Sequence, residues 1–269
     1  MNINELSLNY SIIPELHSLI ELVHDVAGKD IDIQIIETLQ TDGSTKVARE
    51  RMPKHIIKIK GNQTARINHL VAHECCHILR IMEADPSDRV VPSTNSLTMN
   101  SAKAELSDQI QSLPPQIRQK ALDFWIGGLI MQLTNLPVDV RIERWLYKNY
   151  PALRKCQIDS LKADASQTIM CVSKKVEKST ISKVFYMSNA MAYAHLRATG
   201  GITGENYVRK FRDHEEIVDA GKSLFNMLDG EDRGFTHDLE TIKAWGDFLN
   251  ISDWFKWIGF EDMPESYYE

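Results

Sequence analysis

His73, Glu74 and His77 lie in the segment Ile67-Asn68-His69-Leu70-Val71-Ala72-His73-Glu74-Cys75-Cys76-His77-Ile78-Leu79 and fit the spacing His-Glu-x-x-His. On a helix, residues four apart are about one turn apart with Cβ atoms some 5–6 Å from each other, so both imidazoles project from one face. Two imidazoles so placed can share one tetrahedral zinc ion. Glu74 falls roughly 100° around the helix, beside the ion and not on it, where a general base for a metal-activated water belongs. Val71, Ala72, Cys75, Ile78 and Leu79 make the segment largely apolar, hence buried. Two histidines and a carboxylate in such a helix need partners, and a metal supplies them together. The alternative is a hydrogen-bonded pair of core histidines.

A catalytic zinc usually takes three protein ligands and keeps a fourth position open. Asn135-Leu136-Pro137-Val138-Asp139-Val140-Arg141-Ile142-Glu143-Arg144-Trp145-Leu146 is the best source of the third. Pro137 suits a first helical turn, which places Asp139 and Glu143 at i and i+4 on one face. Val138, Val140, Ile142 and Trp145 argue that this helix is buried. The alternative is a solvated acidic face with Arg141 and Arg144 as surface partners. Other eligible ligands are His195, His214 and His237. His69 continues the stripe one turn before His73, but three positions along one straight helix cannot close around one ion. It reads either as support behind a ligand or as an exposed histidine.

The elements that must hold these residues are legible in part. Residues 13–27 form an amphipathic helix stopped by Gly28, and Ile31 to Ile36 alternate as a strand before a polar turn at 41–44. His55 to Lys60 alternate as a second strand, Gly61-Asn62 turn, and Thr64 caps the motif helix. Residues 85–100 read as a loop bordering the cleft. From about Leu113 the pattern is helical, over 115–133, 137–149, 155–177, 179–199, 204–228 and 236–249, with hinges at 200–204 and 229–234. The expected fold is α+β and predominantly helical, with a small antiparallel or mixed sheet near the N-terminus packed on the motif helix. The C-terminal half is helical. Trp245, Phe248, Trp254, Phe255, Trp257, Phe260, Tyr267 and Tyr268 are expected to pack that terminal layer onto the body, with a partner-binding patch as the alternative.

Strand, turn and motif helix in this order resemble the zincin metallopeptidases, of the gluzincin or aspzincin kind and similar to small cytoplasmic regulatory peptidases, over about residues 31–147. The longer motif of the metzincins is absent, since Ile78-Leu79-Arg80-Ile81-Met82-Glu83 follow His77. The resemblance implies a zincin-like core over 1–150 and a helical subdomain over 151–269 packed on it. Carried over residue by residue, it makes His73, His77 and Asp139 the zinc ligands, Glu74 the general base, and Glu143 the carboxylate behind a histidine. The exchange of Asp139 and Glu143 is nearly as good a fit. It also implies peptide-bond hydrolysis of a protein or peptide substrate, with an extended peptide pairing to the strand beside the motif helix. Tyr147, Tyr193, His195, His214 and His237 are the eligible donors to a developing oxyanion. Cys75 points to the core, and Cys76 flanks the metal face.

Composition sets outer limits. At 269 residues, 43 % hydrophobic and 25 % charged, the chain can bury a substantial core as one large domain or two small ones. A formal charge of −6 gives no overall footprint for nucleic acid. No apolar run reaches the length of a membrane span, and the opening residues lack a secretory pattern, so the expectation is a soluble cytoplasmic protein. Cys75, Cys76, Cys156 and Cys171 show no C-x-x-C pairing and are expected as reduced thiols. Two competing classes remain. One is a non-catalytic zinc-stabilised module whose C-terminal helical region recognises a protein partner, and the other is a metal-dependent amidohydrolase of a small substrate.

Overall fold

The computed structural model describes residues 1–228 and 232–263. In chain order the elements are α1 (Ile3–Ser7), α2 (Pro14–Ala27), β1 (Asp30–Ile36), β2 (Gly43–Lys46), β3 (Lys54–Lys60), α3 (Ile67–Met82), β4 (Val90–Ser93) and α4 (Ser96–Leu106). There follow α5 (Pro115–Asn149), α6 (Arg154–Thr168), α7 (Lys174–Ser179), α8 (Ser182–Thr203), α9 (Glu215–Asn226), α10 (Phe235–Leu249) and β5 (Lys256–Gly259). The fold is α+β and predominantly helical, with one sheet of three strands and one of two among the described residues.

The larger sheet is mixed, in the order β1-β3-β2: β1 runs parallel to β3, with Ile33 opposite Ile57, and β2 runs antiparallel to it, with Thr45 opposite Ile57. Alternation along β3 sends His55, Ile57 and Ile59 inward and Lys54, Lys58 and Lys60 outward, so one face of the sheet is buried. That face meets α2, whose Leu16, Leu19 and Val23 are fully buried, and α3. Pro14 opens α2 at a position where its missing N–H costs nothing, and Gly28 ends it at φ 65°, a conformation that a side chain would strain. The motif helix α3 is buried on most sides, packing on α2, β2 and β3 and, across the site, on α5 and α6. A second apolar cluster joins α5 to α8 and α10 around Leu133, Met191 and Trp245.

Several boundaries differ from those read in the sequence. Pro137 does not begin a helix: α5 runs unbroken from Pro115 to Asn149 with Pro137 inside it and buried. An interior proline forfeits one backbone hydrogen bond at a cost of about 3 kcal/mol. Burial of Leu129, Leu133, Pro137 and Val140 along one line offsets it. Thr64 does not cap α3; Thr64–Arg66 forms a 3-10 turn leading into Ile67, with no side-chain cap. The polar stretch at 41–44 is partly strand, because β2 adds to β3 from Gly43. Residues 85–100 are no open loop, since β4 pairs with β5 and Asn95 caps α4 through the N–H groups of Leu97 and Thr98.

The helix expected over 155–177 breaks at Thr168, and that expected over 204–228 is shortened to α9 behind a 3-10 turn at Tyr207–Phe211. Gly200 and Gly201 belong to α8, and the chain turns only at Gly204, φ 77°. Trp245, Trp254, Phe255 and Phe260 are buried and Phe248 is exposed. Tyr267 and Tyr268, with 229–231 of the second expected hinge, lie outside the described residues. Among the described residues no helix is long and apolar enough to cross a membrane.

Candidate metal centre

α3 and the C-terminal half of α5 lie side by side, and the i, i+4 spacing on each aims two side chains into the seam between them. From α3 come His73 and His77, whose Nε2 atoms are 3.1 Å apart. From α5 comes Asp139, whose Oδ1 lies 3.5 Å from His73 Nε2 and 3.2 Å from His77 Nε2. The edges of a tetrahedron with metal bonds of 2.0–2.1 Å are about 3.3 Å long. The three donor atoms therefore outline one face of such a site, and each is partly accessible.

Glu143, one turn beyond Asp139, takes a different place. Its Oε1 is 2.7 Å from His73 Nδ1, and both its oxygens are 3.0 Å from His69 Nε2. Gln157 of α6 donates to its Oε2 at 2.6 Å and to its backbone carbonyl at 2.8 Å. His69, His73 and Glu143 also meet the distance requirement for a cation. Their short separations are those of direct hydrogen bonds, which already use the carboxylate fully. With its Nδ1 proton donated to Glu143, His73 presents a lone pair at Nε2, toward His77 and Asp139. A carboxylate behind an imidazole in this way fixes its tautomer and raises its basicity. His69 is 3 % exposed, which removes the exposed alternative and leaves it as Glu143's second imidazole partner.

The electrostatics favour a positive charge in the seam. Burial pushes the Asp139 and Glu143 carboxyls up, but the facing imidazoles outweigh it and hold both well below the usual carboxylate range. Burial lowers the affinity of His73 for a proton, yet Asp139 and Glu143 raise it well above that of an ordinary histidine. Protons on the imidazoles or a cation between them can meet this demand.

Glu74 stands off the donor triangle. Its carboxylate is held by Thr45 of β2, which donates to Oε2 at 2.7 Å. The backbone of β2 passes so close that a Cβ at Gly43 would lie 2.5 Å from Glu74 Oε1. Gly43, Glu74, His73 and Asp139 line a cleft of about 210 Å³ together with Asp164 of α6 and His195 of α8. His195 Nε2 is 3.3 Å from Asp164 Oδ2. Burial lowers the proton affinity of His195, and the Asp164 carboxylate reverses this, leaving it above the ordinary value.

The other expected oxyanion donors sit elsewhere. Tyr147 is stacked under Arg154, Tyr193 packs edge-on against Phe211, His214 lies against Phe185, and the His237 carbonyl accepts from Arg141. Cys75 is in the core, as its position on the helix requires, while Cys76 is buried and borders a separate hollow with Glu83 and Trp145 rather than the metal face.

Behind the site lies a buried ionic cluster absent from the sequence reading. Asp238 of α10 accepts from Arg80 of α3 at 2.5 and 2.7 Å and from Arg141 of α5 at 2.9 Å. Asp232 adds two further bonds to Arg80 at 2.9 Å, and Thr241 accepts from Arg141 at 2.5 Å. Arg141 is thus 3 % exposed and structural, not the surface partner that a solvated acidic face would require. No local spacing signals this cluster, because its carboxylates come from far along the chain.

Compared with known proteins, the chain stands apart: no family model, no curated protein and no solved structure matches it.

Proposed function

We propose that this protein is a zinc-dependent peptidase whose ion is held by His73, His77 and Asp139, with Glu143 as the carboxylate supporting His73. The observation that carries this reading is the triangle of donor atoms, 3.1, 3.2 and 3.5 Å on its edges, with Glu74 beside it and off it. Two imidazoles and one carboxylate suit zinc. When bound, the ion supplies Lewis acidity toward a carbonyl oxygen and a water acidified toward a pKa of about 7.

Glu74, which lines the cleft, takes up the proton released in the attack and returns it to the departing amine, with Thr45 fixing one of its carboxylate oxygens. Of the side chains eligible as donors to a developing oxyanion, His195, held by Asp164, is the one that lines this cleft, and it takes that role in our reading. The outer edge of β2 runs past Glu74 and offers backbone groups to an extended peptide. We take its setting to be reducing and cytoplasmic, in keeping with four cysteines that are free thiols.

A base beside the ligands has no purpose in a purely structural site, which favours catalysis over a zinc-stabilised binding module. Glu74→Gln separates the two. It should retain one zinc per chain and an unchanged melting temperature while abolishing cleavage of a peptide library by the zinc-loaded protein. Loss of zinc from Glu74→Gln, or undiminished cleavage, would overturn the assignment. Cleavage of small amides but of no peptide would redirect it to an amidohydrolase.

A further inference from the structure

The N-terminal half of α5 leaves an apolar stripe uncovered. Ile117, Phe124 and Met131 are 48, 77 and 55 % exposed, and they recur at a spacing of two helical turns, so they stand in one line along the helix. On the same face lie Lys120, Ala121, Gly127 and Gly128, with Asn135 one turn beyond Met131. Between Ile117 and Asn135, Lys120 is the one charge within about 60° of the line. Asp123 turns aside to pair with Lys103 of α4 at 2.9 Å. The two glycines serve no packing need within the chain: a Cβ at either would meet nothing within 4 Å. Each weakens an exposed helix relative to alanine. What they leave beside the exposed Phe124 is a hole next to a knob.

We propose that this face pairs with the same face of a second copy of the chain, the two α5 helices running antiparallel about a twofold axis level with residue 126. Phe124 of each copy then seats over Gly128 of the other, Met131 over Ala121, and Ile117 over Asn135. Every layer joins a large side chain to a smaller one. A parallel pair would set phenylalanine against phenylalanine and glycine against glycine, alternating a clash with a void. The order of large and small residues along the stripe is thus complementary to itself only when one copy is reversed. Lys120 lies at the margin, where its stem covers apolar surface and its ammonium stays in water. One helix face is a small area for specific association, so pairing should be reversible, with a midpoint on the order of 10–100 µM.

Sedimentation velocity of the full chain over about 1–300 µM, a range that brackets this midpoint, tests the proposal. The parent protein should pass from monomer to dimer, and Phe124→Glu should stay monomeric throughout. Gly128→Leu is the decisive variant, because it places a better helix former and more apolar surface where nothing within the chain obstructs it. Its melting temperature should not fall. Unspecific association of an apolar patch would grow with the added leucine, whereas a leucine that fills the seat of the partner's Phe124 should weaken dimerisation at least about tenfold. A parent protein that remains monomeric, assembly beyond a dimer, a dimer untouched by Phe124→Glu, or a Gly128→Leu variant that pairs as well as the parent would each overturn the proposal.

Discussion

At the scale of single residues, Asp139 and Glu143 share a helix face and are told apart by what they touch. Asp139 reaches both Nε2 atoms, whereas Glu143 reaches His73 Nδ1 and His69. Glu143→Gln should weaken zinc binding by about 10–100-fold, the usual cost of losing a carboxylate behind a ligating histidine, while Asp139→Ala should abolish stoichiometric binding. A chelator-competition titration checks both, and the reverse ranking would exchange the two roles. Gly43→Ala tests Glu74 from the other side. The added methyl would sit 2.5 Å from Glu74 Oε1 and push the carboxylate out of place. Displacement on the order of 1 Å can cost about 100-fold in rate, so turnover should fall steeply with zinc content and melting temperature unchanged.

The motif residues were legible because chemistry and helical period coincide over five positions. Thr45 and Gln157 were not, because a threonine or glutamine carries no signal of a partner 29 or 14 residues away.

At the scale of elements, what holds the site together is the meeting of α3, α5 and α10 on Asp238. Asp238→Ala would strand Arg141 as a buried cation and leave Arg80 with Asp232 alone, and should destabilise the protein by about 3–5 kcal/mol, read as a lower midpoint in urea. A change below about 1 kcal/mol would mean that the cluster is dispensable. Strands with clean alternation and helices with strong stripes, β3 and α2 among them, declare themselves in sequence. Pro137 misleads, because a proline at a helix start and one buried inside a helix look alike until the packing of Leu133 and Val140 is known. β4 and β5 were invisible for a related reason: four-residue strands paired across most of the chain have no local period long enough to read.

For the molecule as a whole, the response to acid follows from His55. It is fully buried under the sheet, its Nδ1 accepting from the Ala48 N–H at 2.9 Å, and burial, with Lys29 nearby, lowers its pKa to about 4 from 6.5. The unfolded chain then binds a proton between pH 6.5 and 4 that the folded chain refuses. Stability contributed by the neutral ring is therefore complete above pH 6.5 and falls as the pH drops toward 4, by a total on the order of 3 kcal/mol. His55→Gln should flatten this acid limb in denaturation curves taken across that range. An unchanged slope would locate the sensitivity elsewhere.

Asp238 lies 158 residues beyond Arg80. During synthesis, a nascent chain displays its two imidazoles and its acidic ligand long before the anion that clamps their helices has been made. The pairing of α3 with α5 through the Asp238 carboxylate is thus complete only once α10 has been made, and a chain ending before Phe235 would lack the anion that Arg80 and Arg141 share.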